Sequence, residues 1–98
     1  MQTTRGLLNS IKLKMNLSSE EELANALRIP PTSVRLLYQQ KLLVDESLAI
    51  RIARLLDVES MYVIALTQME RTSNDSIKRE WLEIAKKHNR EAKKVANS

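Results

Sequence analysis

The side chains able to do covalent or acid–base chemistry in this chain are few and scattered. There is no cysteine, which excludes thiolate nucleophiles, disulfides and thiol metal sites, and the single histidine, His88, cannot build a multi-histidine cluster. No acid or nucleophile recurs near His88, so it reads as a helix-surface or interface residue rather than a catalytic one. Ser18 with Ser19, and Asp45 with Glu46, have the residue types of a nucleophile or acid pair. Each has a sufficient role as a helix cap, because it stands just ahead of an apolar-periodic stretch. Nothing matches a paired-carboxylate or triad constellation, so no enzyme, metal or cofactor is expected. Binding to a polyanion is compatible with the composition: 16 Lys and Arg stand against 12 Asp and Glu, for a net charge of +4. The charge is unevenly placed. Residues 19–30 are net acidic and residues 31–56 net basic, while residues 76–98 carry seven Lys or Arg against three Glu. A solvated helix face accounts equally well for that last segment.

The elements that must position these side chains are helical. Hydrophobic residues make up 43% of the 98-residue chain, with no Phe, one Trp, one Gly and a single adjacent pair of prolines. That composition favours an all-α domain with an aliphatic core and gives strands little to work with. No uninterrupted apolar run opens the chain, since Asn9, Lys12 and Lys14 break it, so neither a secretory signal nor a membrane span is expected. The expected location is the cytoplasm.

The stretch at residues 19–41 organises the rest. Leu23, Ala24 and Leu27 share one helical face, and Val34 with Leu37 forms a second after the break at Ile29. Ser19 is placed to cap the first of these helices through the N–H of Glu22, with Glu22 reaching back in a reciprocal capping box. Glu20 and Glu21 suit the positive end of that helix. Pro30 pushes Ile29 out of the α region, and Pro31 suits the first turn of a helix running to residue 39 or 40. A helix over residues 6–15 precedes the pair, with Leu7, Leu8, Ile11 and Met15 inward and Arg5 ahead of it as a short arm. Asp45 caps a helix through Leu56, with Leu48, Ile52, Leu55 and Leu56 inward and Ala49 and Ala53 allowing close approach. Residues 60–70 form a fifth helix. The polar run at residues 71–75 marks a break, and a last helix follows with Ile77, Trp81, Ile84, Ala85, His88, Ala92 and Val95 near a three-four spacing. Glu83 and Lys87 make a favourable i,i+4 pair on it.

Leu23, Ala24, Ile29, Val34 and Leu37, followed by residues 48–66, resemble the Cro/CI-type helix-turn-helix family of transcription regulators. Over nearly the whole chain the sequence is most like small phage-encoded members that add a charged C-terminal helix with a tryptophan, here Trp81. The resemblance implies a five-helix DNA-binding domain over residues 1–70, with the helix-turn-helix at residues 19–41. Residues 71–98 then add a C-terminal helix, for dimerisation, and a basic tail. Three positions depart from the family pattern. Arg28 stands at the turn and Gln40 after the recognition helix, both where glycine is common, and Glu20 stands where glutamine often holds a phosphate. A non-glycine residue in the left-handed region costs about 1 kcal/mol. Asp57 also occupies a helix-end position where glycine is usual, and aspartate tolerates it better than most.

Carried onto this chain, the family's base-reading positions are Pro31, Thr32, Arg35, Leu36 and Gln39. Arg35 has the donors to read guanine and Gln39 the amide to pair with adenine, and Leu36 or the Thr32 methyl can pack on a thymine methyl. Ser33, Gln40 and Lys41 are the expected phosphate contacts, with Arg51 and Arg54 as lesser ones. The resemblance implies a repressor, acting in the cytoplasm of a bacterial host, that binds double-stranded DNA as a homodimer on an inverted repeat. The apolar stripe at Ile77, Trp81 and Ile84 needs burial either on the outside of the five-helix core or on the same helix of a second subunit, and its three-four spacing favours the second. The alternative is a helical adaptor or antirepressor that keeps the fold but binds a protein through Leu36, Tyr38 and the C-terminal helix.

Overall fold

The structure, a computed structural model, describes residues 3–89. Among these residues six helices and no strands form: α1 (Thr4–Met15), α2 (Glu20–Leu27), α3 (Pro31–Tyr38), α4 (Glu46–Leu56), α5 (Ser60–Arg71) and α6 (Asp75–Lys87). None is long and apolar enough to cross a membrane. The continuation of the last apolar stripe to Ala92 and Val95, and the basic tail, lie outside the described residues.

Short polar side chains start four of the helices. The hydroxyls of Thr3 and Ser19 accept from the N–H groups of Gly6 and Glu22 at 3.2 and 3.1 Å, while Asp45 and Asn74 accept from Leu48 and Ile77 at 2.8 and 3.2 Å. Pro31 opens α3 at a position where its missing N–H costs nothing. Two starts differ from expectation. The Glu22 carboxylate accepts from the N–H and hydroxyl of Ser18, both at 3.1 Å, so the box closes one residue earlier than on Ser19. The Thr3 cap starts α1 at Thr4, which puts Arg5 inside the first turn rather than in an arm.

Helix ends are the strained points of this fold. Asn16, Arg28, Gln40 and Asp57 all take positive φ, between 55° and 60°, in a chain whose lone glycine lies within α1. Each is followed by a residue whose N–H closes a wider loop back into the helix: Leu17 to Lys12, Ile29 to Ala24, Lys41 to Leu36 and Val58 to Ala53, at 2.8–3.0 Å. Leu17, Ile29 and Val58 then pack against the core, the apolar contact that accompanies this type of helix end. Asparagine and aspartate reach the left-handed region at modest cost; arginine and glutamine do not.

The core joins Leu7, Leu8 and Ile11 of α1, Leu23, Ala24 and Leu27 of α2, Val34 and Leu37 of α3, and Ile52 of α4 to Val63 and Leu66 of α5, all buried. Leu48, Ala49 and Ala53 are buried as well, the alanines permitting the close approach expected of them. Leu55 and Leu56 are half-buried, and Met15, at the last turn of α1, is exposed rather than inward. α6 packs along α5, with Ala85 fully buried and Trp81 and Ile84 half-buried against the core. Its surface ion pair joins Lys86 to Glu83 at 3.9 Å, in place of the expected Glu83 with Lys87. His88 ends the helix and meets Glu59, the residue before α5, with 3.0 Å between its Nδ1 and the carboxylate.

Candidate nucleic-acid interface

α3 is eight residues long and divides cleanly. Val34 and Leu37 are entirely buried, which leaves Pro31, Thr32, Arg35, Leu36 and Gln39 exposed along the remaining surface and Ser33 half-buried. All five residues expected to read bases therefore lie on solvent-facing backbone. Leu36 keeps 38% of its surface in water while neighbouring Leu37 keeps none, so its exposure is not a consequence of general looseness.

Arg35 is held from the side. Its Nε lies 3.6 Å from Oε2 of Glu20, the first residue of α2, in a pair that is largely open to solvent. An exposed pair of this kind contributes about 0–1 kcal/mol, so its effect is on orientation more than stability. Beside it the Tyr38 hydroxyl donates to Oδ1 of Asn9 on α1 at 2.7 Å. Tyr38 ionises above the usual tyrosine value. Burial is the main cause and the Glu20 carboxylate adds to it, while Arg5 opposes both. The rim of this face thus gathers Arg5, Asn9, Glu20, Arg35 and Tyr38 from three helices.

The expected phosphate contacts divide. Lys41 is exposed at the end of α3, and its backbone N–H is bound to Leu36. Gln40 is turned elsewhere: its amide donates to Glu70 at 3.5 Å, back towards the end of α5. Glu70 also accepts from the Thr4 N–H at 2.6 Å and from the Thr4 hydroxyl, so one carboxylate ties the start of α1, the end of α3 and the end of α5. Arg51 has a structural role that the sequence reading missed. Its guanidinium donates to the carbonyls of Leu27 and Arg28 at 3.0 and 3.4 Å and to the Ser47 hydroxyl at 3.0 Å, placing a cation on the negative end of α2. Arg54 is exposed and shares a cleft with Arg28 and Arg51.

The residues expected to pair two subunits are not equivalent. Trp81 and Ile84 spend part of their surface on the chain's own core, whereas Ile77 remains 47% exposed. Asn9, Glu70 and Arg28 complete the neighbourhood of α2 and α3 without having been singled out as site residues. Asn9 had a signal, as a polar residue within the apolar-periodic first helix; Glu70 had none that sequence could supply.

Comparison of the chain with protein-family profiles, curated proteins and solved structures finds no match.

Proposed function

We propose that the chain is a sequence-specific DNA-binding transcription regulator of the Cro/CI type, a phage-type repressor acting as a dimer on an inverted repeat. In this reading α2 and α3 are the helix-turn-helix and α3 enters the major groove. The observation that carries it is the division of α3: two apolar residues anchor the helix completely, while Thr32, Arg35, Leu36 and Gln39 stand outward with the chemistry to read base edges. The Glu20 contact supports it further. By engaging Nε, the carboxylate leaves the terminal nitrogens of Arg35 to present their paired donors to guanine O6 and N7. Lys41 at the end of α3 supplies a phosphate contact.

A second reading has its own observation. Glu20 also brings a negative charge to this face, and the exposed Leu36 beside Tyr38 suits an apolar protein surface; an adaptor or antirepressor would use both. Binding of the chain to random and to upstream duplex DNA across a salt series separates the two. A regulator shows a large specificity ratio and an affinity that falls steeply with salt. Arg35→Ala is expected to lower operator affinity by about 1–3 kcal/mol and relax preference at one base pair per half-site, whereas Lys41→Ala weakens all sequences alike. Unchanged affinity and base preference in Arg35→Ala would refute the docking.

A further inference from the structure

α2 opens on three glutamates, and two of them have different tasks. Glu22 accepts from the N–H and hydroxyl of Ser18 and so closes the start of its own helix. Glu20 faces across to α3, where its carboxylate lies 3.6 Å from Nε of Arg35. Its field extends beyond that pair: burial first, and then the Glu20 carboxylate, hold the Tyr38 phenol above its ordinary range, against the opposing charge of Arg5. The outward face of α3 thus carries a negative charge directly beside its arginine.

On the DNA reading of α3, on which this rests, we propose that Glu20 is a specificity-determining residue that lowers affinity for duplex wherever Arg35 is not seated on guanine. The major groove is about 12 Å wide, and physiological salt screens charges only beyond about 8 Å, so a carboxylate beside a base-reading residue feels the phosphates on both walls. On guanine, the terminal nitrogens of Arg35 hold O6 and N7 while Nε stays with Glu20, and one guanidinium serves both acceptors. The pair is weak in the free protein, where the Arg35 and Glu20 side chains keep 67% and 42% of their surface in water. A duplex that covers this face excludes that water and strengthens the pair. Other bases offer the guanidinium no matching pair of acceptors, so it turns to a backbone phosphate and leaves Glu20 bare against the same polyanion. Repulsion between like charges then penalises the wrong register without any contact of its own.

The probes are a duplex that the full-length protein selects from a randomised pool, and the unselected pool itself, each titrated across a salt series. Glu20→Gln should bind the unselected pool about tenfold tighter, with a salt slope steeper by up to about 1, and should change affinity for the selected duplex by less than about threefold. The specificity ratio therefore falls while binding as such improves, which a purely structural role for Glu20 does not produce. Arg35→Ala should weaken pool binding more in the parent than when combined with Glu20→Gln, because no bare carboxylate then meets the phosphates. Thermal unfolding of each variant checks that the helices remain folded. Failure of the parent to select any sequence refutes the DNA reading, and this inference with it. Selection by the parent, followed by an equal gain of Glu20→Gln on both probes, by no gain, or by equal losses of Arg35→Ala in the two backgrounds, overturns the inference alone.

Discussion

Replacing Arg28 by glycine is expected to stabilise the protein, although it removes a side chain and introduces the residue with the most flexible unfolded state. At φ 60° the Cβ of any residue other than glycine crowds the following carbonyl, at about 1–2 kcal/mol for a side chain with no local polar compensation. Against this, glycine loses more entropy on folding, about 0.4–1 kcal/mol. The difference leaves a gain of about 0.5–1 kcal/mol, which in a chain of this size raises Tm by about 2–8 °C. The hydrogen bond from Arg51 to residue 28 uses the backbone carbonyl and survives the substitution. Arg28→Ala is the control, since it keeps the Cβ in the strained region and reports only the relief of charge crowding near Arg51 and Arg54. Asn16→Gly and Asp57→Gly should gain less, because asparagine and aspartate already tolerate the left-handed region. Thermal unfolding followed by circular dichroism measures all four variants. A loss of more than about 1 kcal/mol in Arg28→Gly, or an equal gain in Arg28→Ala, would refute the strain argument.

Other perturbations address the remaining contacts. Glu70→Ala should cost about 1–2 kcal/mol by releasing the start of α1 and the Gln40 amide, and combining it with Thr4→Val should add less than the two separate losses when both are measured by denaturant unfolding. Trp81→Ala should destabilise the domain by about 1–3 kcal/mol, less than a fully buried tryptophan, because the side chain is half-buried on the core. Sedimentation of the same variant tests pairing through this helix: a shift from dimer to monomer supports it, and an unchanged dimer puts the interface elsewhere. Tyr38 should titrate above the usual tyrosine range in an ultraviolet titration, and Glu20→Gln should lower its midpoint by removing a negative neighbour. Because its folded-state value is raised, the stability linked to this phenol is complete below the ordinary tyrosine value and lost as pH rises through the shifted one.

The sequence by itself determined the local grammar of this protein. Ser19 and Asp45 cap their helices as their positions predict, Pro31 opens α3, and α2, α3 and α4 follow from apolar periodicity. The left-handed Asp57 was legible from its place at a helix end, whereas Arg28 and Gln40 stood out only against the family pattern that the sequence resembles. The departures come from competition at short range. Glu22 had two serines within reach and took Ser18, and the Thr3 cap drew Arg5 into the helix. What tertiary structure alone decided are pairings between helices distant in the chain: Tyr38 with Asn9, Arg51 with Leu27, Glu70 with Thr4 and His88 with Glu59. Composition and spacing identify residues able to make such contacts. Which partner each one meets depends on how the buried faces of α1, α4 and α5 settle against one another, and that is set by the packing of the whole core rather than by any short stretch. So the outward face of α3 could be read from its periodicity, while the Glu20 carboxylate against Arg35 and the arginine cleft behind α2 emerge when the helices come together.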